Sequence, residues 1–139
     1  MYVYRMVFCN ISLLSFKRRW YKAVKISKIK ELLEAEVLCG EELLDGEVNS
    51  ACGCDMMSDV LAFVKDQAVL ITGLCNPQVV RTAMMMDMRC IVFVRGKSPS
   101  DDIVNLASDA GIVIMKCDKR MYVACGLLYT NGLLGGECT

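Results

Sequence analysis

A chain of 139 residues that is 55% apolar holds one domain's worth of sequence. That length can bury roughly two thirds of the unfolded surface in a single core, and so apolar a composition excludes disorder. Lys plus Arg and Asp plus Glu balance at 16 each, so no net field recruits nucleic acid or an anionic membrane, and 7% aromatics make a poor base-stacking platform.

The first stretch, MYVYRMVFCNISLLSF, is interrupted by Arg5 and Asn10 and is too short to span a bilayer. Lys17-Arg18-Arg19-Trp20 can be encoded by AAA-AGG-AGG-TGG, the form of a bacterial ribosome-binding site, and Val24 by the initiator GTG. The expectation is a native start at Val24, with residues 1–23 a doubtful extension. The competing reading is a basic-apolar tail that lies on the domain or on a membrane surface.

From Val24 the pattern becomes regular. ISKIKELLEA places Ile26, Ile29, Leu32 and Leu33 at helical intervals, with Ser27 near the start. EVLC before Gly40 reads as a short strand, Asp45-Gly46 as a turn, and Val48 to Cys52 as a second short strand. This pair leaves open a hairpin or mixed pairing at one side of the sheet. Gly53 then supplies a bend, Asp55 or Ser58 caps a helix, and Met57, Val60, Leu61 and Val64 mark its apolar face.

Three strand–helix units follow. AVLIT (68–72) is an unbroken apolar run, as a strand buried on both faces requires. Asn76 caps the next helix, with Pro77 at its first position and an end near Met88. CIVFV (90–94) is the next strand and RGKSPS a loop. Ser100 caps a helix whose first turn holds Asp101 and Asp102, complementing the helix dipole, and Gly111 ends it. IVIMK (112–116) is the last strand, and Asp118 opens a helix to about Tyr129. Strands alternating with helices predict a single three-layer α/β domain over residues 24–131, with a mainly parallel or mixed sheet. Residues 132–139, glycine-rich, read as a flexible tail.

Residues 25–129 resemble the DRTGG domain. The features that carry the resemblance are the MSDVLAF helix entry, ITG closing a strand, CIVFVRGKSPSDDIVNLASDAGIVIM, and the final CDKRMYVACGLL helix. The resemblance implies a fold like the N-terminal domain of HPr kinase/phosphorylase. It also implies a non-catalytic regulatory, dimerising or ligand-sensing role. Such domains stand between CBS modules of regulated pyrophosphatases, in the middle region of phosphotransacetylases, or alone. Two departures are visible. Asn76-Pro77-Gln78 stands where the family name places Asp-Arg, and Val94-Arg95-Gly96 where it places Thr-Gly-Gly, with Gly96 matching the last glycine.

Two kinds of site can be assembled from the residues. Cys52, Cys54, Cys75 and Cys117 each follow a strand, so four sulfurs can converge at the C-terminal strand edge as a thiolate metal or redox site. Against this, Cys52 and Cys54 lack the paired CxxC spacing of structural zinc sites, and most of the nine cysteines suit a reducing cytoplasm as small buried apolar groups. The other site binds a small anion on the same edge. Arg95 and the helix start at Asn76 supply donors, and Gly53, Asp55, Ser58, Thr72 and Gly96 complete the set of candidate ligand contacts. The chain has no histidine to serve as a base, and neither a Walker lysine motif nor a Rossmann fingerprint. The expectation is therefore a cytoplasmic homodimer that binds a small anionic ligand or a partner protein, without catalysis, cofactor, nucleic acid or membrane. Helical spacing in AMMMDM puts Met84 and Met88 together with Met85 beside them; core packing is the more frequent reading of such a group and a soft recognition surface the other, in which case an exposed flank is the expected dimer contact.

Overall fold

The computed structural model describes residues 23–64 and 67–136. The expectations about a leader in residues 1–23 fall, except for Ala23, outside the described residues.

Where the sequence is most continuously apolar, the chain forms the middle of a five-stranded sheet. Strands β5 (Ala68–Thr72) and β6 (Cys90–Phe93) are buried at every residue. Strand β7 (Val113–Lys116) runs parallel to β6, and β4 (Ser50–Gly53) runs parallel to β5. Strand β2 (Glu36–Cys39) closes the far edge antiparallel to β7, so the order is β2-β7-β6-β5-β4 and the sheet is mixed. The two early strands therefore do not form the hairpin left open by the sequence. They sit at opposite edges of the sheet. The segment 47–52 splits at Asn49: β3 (Glu47–Val48) leaves the main sheet to pair antiparallel with β1 (Val24–Lys25).

Among the described residues five α-helices cover both faces. Alternation along the strands divides the core accordingly. Val69, Ile71, Val92, Val113 and Met115 pack against α1 (Ile26–Leu33) and α5 (Met121–Thr130). Leu70, Ile91, Phe93 and Ile114 pack against α2 (Met57–Phe63), α3 (Pro77–Met85) and α4 (Asp101–Asp109). Each such side chain, fully buried, contributes about 1.5–3 kcal/mol of transfer free energy, which is why these short strands and helices hold together.

The helix starts follow the sequence unevenly. Asn76 caps α3 as expected, its Oδ1 accepting from the Gln78 N–H at 2.8 Å, with Pro77 in the first turn. Ser100 occupies the cap position of α4 without a side-chain bond; only its carbonyl accepts, from Ile103 and Val104. Neither Asp55 nor Ser58 caps α2. The cap position belongs to Met56, Ser58 is already inside the helix and exposed, and the Asp55 side chain is engaged elsewhere. The last helix opens at Met121 rather than Asp118. In the segment expected to be a flexible tail, Leu133 is 2% exposed and the Leu134 carbonyl accepts from the Ala51 N–H at 2.9 Å, covering part of the β4 edge.

Candidate anion-binding edge

The parallel register aligns the strand ends: Gly53 pairs with Ile71, Thr72 with Phe93, and Phe93 with Lys116. The loops that follow β4, β5, β6 and β7 consequently open on one edge of the sheet. In open α/β sheets this is where ligands bind.

Three donors, one from the last residue of β5 and two from the loops after β5 and β6, converge on one carboxylate from the loop after β4. Asp55 Oδ1 accepts from the Gly73 N–H at 2.7 Å and from Thr72 Oγ1 at 3.0 Å, and Asp55 Oδ2 accepts from Arg95 Nη2 at 2.6 Å. Thr72 is wholly buried, and its hydroxyl oxygen also accepts from the Leu74 N–H at 3.1 Å, which fixes its rotamer. Asp55 and Arg95 remain 45% and 42% exposed, so solvent reaches the pair. Partial burial pushes the Asp55 carboxyl up, but the Gly73 N–H, the Arg95 guanidinium and the Thr72 hydroxyl together outweigh it. Its pKa therefore lies below the ordinary aspartate value.

Arg95 reaches this position from an unusual backbone. Its φ of 66° is left-handed, a region in which a β-carbon is crowded, and Gly96 follows at 65°. The conformation is held by the neighbouring strand's loop, because the Arg95 N–H donates to the Lys119 carbonyl at 2.8 Å and the Gly96 N–H to that of Cys117 at 3.0 Å. Glycine at both positions would relieve the strain. The side chain carried by this strained backbone is the one that reaches Asp55.

Of the seven candidate contacts, the fold brings Asp55, Thr72 and Arg95 into direct contact. Gly53 and Gly96 supply backbone at the same edge, Gly53 lying under the Cys125 sulfur and Gly96 beside the Asp118 carboxylate. Asn76 is occupied as a cap, and Ser58 stands apart on α2. Gly73 was missed. A β-carbon there would overlap the Arg95 guanidinium, which lies directly on the Gly73 backbone. The signal was present in the ITG that closes β5, a glycine directly after a buried threonine.

The thiolate reading is not supported. Among the described residues no group of three or more His, Cys, Asp or Glu side chains is placed to hold a metal ion. Cys117 belongs to the core on the α1/α5 face of the sheet, whereas Cys52 and Cys54 pack on the opposite face. Burial pushes the Cys52 thiol up to about 11 and also raises Cys75 and Cys117. The sheet itself separates sulfurs that the sequence pattern placed together.

Two surface clefts, of about 400 and 320 Å³, lie elsewhere: the first between α1 and Asn131, the second around Asp87, Arg89 and Gly111. Neither is lined by Asp55, Thr72 or Arg95. Among the described residues no helix is long and apolar enough to cross a membrane.

The family model of the DRTGG domain matches residues 28–129. A similar solved structure is that of the CBS and DRTGG domains of the regulatory region of Clostridium perfringens pyrophosphatase, complexed with its activator diadenosine tetraphosphate. It aligns with a TM-score of 0.65 and 16% sequence identity, covering 96% of this chain and 56% of that one. This chain thus spans a little over half of that structure, and at such identity the likeness is one of fold. No curated protein matches the sequence.

Proposed function

The chain belongs to the DRTGG domain family, and from that premise we propose that it is a regulatory domain without chemistry of its own, one that binds a small anionic ligand at the C-terminal strand edge. The observation that carries this reading is the convergence of a buried hydroxyl, a backbone N–H and a strained arginine on one exposed point of that edge. Such a mixture of neutral and charged donors suits a phosphate or carboxylate oxygen. The pyrophosphatase regulatory region answers to a polyphosphate nucleotide. A ligand of that broad class, nucleotide or phosphorylated metabolite, in a cytoplasmic setting is the natural one for this domain.

The test is thermal stability against a panel of nucleotides and phosphorylated metabolites, since a ligand of the native state must raise it. At least one member should shift the transition upward in wild-type protein and not in Arg95→Gly. That substitution suits the left-handed backbone and so leaves the fold intact. A panel without any shift, or a shift that survives Arg95→Gly, refutes the site.

Self-association is the second part of the reading. Phe63 ends α2 at 75% exposure, and Met84 and Met85 end α3 at 50% and 72%. The segments after these helices lead into the starts of β5 and β6, at the end of the sheet opposite the anion edge, where Gln67 Nε2 donates to Asp87 Oδ2 at 3.3 Å. Exposed methionines adapt readily to a partner surface, and a second copy is the expected occupant. Sedimentation at tens of micromolar should show a dimer that Met85→Glu dissociates; a strictly monomeric wild type excludes it.

A further inference from the structure

The donors proposed to bind the ligand are already occupied by the protein itself. Two carboxylate oxygens of Asp55 satisfy Thr72, Gly73 and Arg95 in the manner of two oxygens of a bound anion, Oδ1 taking the hydroxyl and amide and Oδ2 the guanidinium. Resting on the reading above, we infer that Asp55 is a tethered stand-in for the ligand: a phosphate group binds by displacing this carboxylate from Thr72, Gly73 and Arg95.

The local chain is built to allow such an exchange. Asp55 lies in the short connection between Gly53 at the end of β4 and Met57 at the start of α2, and its side chain is nearly half exposed. Its backbone neighbours are anchored separately: the Cys54 N–H donates to the Ile71 carbonyl at 3.0 Å, and the Met56 N–H bonds Cys54 Sγ at 3.3 Å. The carboxylate can therefore leave without unravelling β4. Because the start of α2 has no side-chain cap, the Asp55 carboxylate is a tether between that start and the ends of β5 and β6. Displacement would loosen the entry to α2, the helix that carries Phe63 toward the proposed association face.

A tethered competitor acts at the high effective concentration of an intramolecular group. Such an arrangement selects among ligands. A monocarboxylate offers the donors nothing that Asp55 does not already give, whereas a phosphate dianion offers more charge and a third oxygen. The site should accordingly prefer phosphate groups to carboxylates. It should also bind more weakly than its donors alone would, by the fraction of time Asp55 leaves them free.

The experiment is titration with inorganic phosphate, and with acetate for comparison, of wild type, Asp55→Asn, Asp59→Asn and Arg95→Gly at one ionic strength. If the donors are free about a tenth of the time, Asp55→Asn binds phosphate about tenfold more tightly than wild type. Asp59→Asn, which removes the same charge from an exposed position in the first turn of α2, should change the affinity less than about twofold, as remote screened charges do. Arg95→Gly combined with Asp55→Asn should abolish the gain. Phosphate binding by Asp55→Asn alone, with wild type silent, supports the stand-in. Equal or weaker binding by Asp55→Asn, while wild type still binds in an Arg95-dependent way, overturns it and leaves the anion site standing, with Asp55 merely positioning Arg95. No binding by any variant removes both. Acetate bound by wild type as tightly as phosphate overturns the displacement selectivity. Amide hydrogen exchange on wild type gives a check that needs no substitution: saturating phosphate should speed exchange at Asp59 and Val60, whose N–H groups donate to the Met56 carbonyl at the entry to α2, while Gly73 stays protected. Unchanged exchange at those two amides in the phosphate-bound protein refutes displacement.

Discussion

The bodies of β5 and β6 and the loops at their ends are made of the same chain a few residues apart, yet they are built on opposite terms. From Ala68 to Ile71 and from Cys90 to Phe93 every side chain is apolar and buried, and the backbone is satisfied by the neighbouring strands. Directly beyond, Thr72, Gly73 and Arg95 present a hydroxyl, an amide and a guanidinium that the sheet cannot satisfy, and a carboxylate from a third loop is brought in to meet them. The strand bodies supply stability. Their ends hold polar groups around a solvent-accessible carboxylate, the partner whose exchange is proposed above. On that proposal, stability and recognition are separated by only a residue or so along the chain.

The separation can be broken most forcefully from the side of the core. Phe93 is completely buried between β6 and the α2/α3/α4 layer, so Phe93→Ala should cost about 3–5 kcal/mol in denaturant unfolding. If Arg95 still holds phosphate in whatever fraction stays folded, body and end are independent in the sense argued here. A cost below about 1 kcal/mol would mean that the strand body is not the source of stability.

Gly73→Ala acts on the other side of the divide. The added methyl would overlap the Arg95 guanidinium, the mobile end of a long side chain, so the arginine should swing away rather than the sheet distort. The expected loss of stability is about 1 kcal/mol, with a much larger loss of anion binding. A stability loss comparable to that of Phe93→Ala, measured by the same unfolding curves, would show that the end of β5 is structural after all.

The smallest effect concerns acidity. The folded-state pKa of Asp55 is depressed, so its contribution to stability is fully present above the ordinary aspartate value of 3.8 and is lost as pH falls through the lower folded value. With both partners more than two fifths exposed, solvent screening limits that contribution to under about 1 kcal/mol. Wild type should therefore exceed Asp55→Asn slightly at neutral pH, and the difference should vanish on acidification below about pH 4. A difference that grows on acidification would mean that the carboxyl is stabilised in its protonated form.

The comparison also explains what could be read in advance. Unbroken apolar runs announce doubly buried strands, and the Asn76-Pro77 pair announces a helix start, because both depend on residues adjacent in the chain. Asp55 was legible as a polar residue at a strand–helix junction, but the cap expected of it does not form, since the helix begins one residue later than a cap at Asp55 requires and the partners of its carboxylate come from the ends of β5 and β6. Cys52, Cys54 and Cys117 illustrate the reverse error. Each lies at or just past a strand end, Cys52 within β4 itself, but the side of the sheet on which a sulfur lies depends on register and pleat, and these place Cys117 on one face and the other two on the opposite face.

By itself, the sequence determined the alternation of strands and helices, the buried centre of the sheet and the edge on which its loops would gather. These follow from hydrophobic periodicity and from the local geometry of caps and turns. Only the tertiary structure decided that β2 and β4 lie at opposite edges, that β2 runs antiparallel, and that Asp55, Thr72, Gly73 and Arg95 meet. The physical reason is distance along the chain. Asp55 and Arg95 are 40 residues apart, and what joins them is the pairing of three strands, a long-range choice that no local pattern encodes.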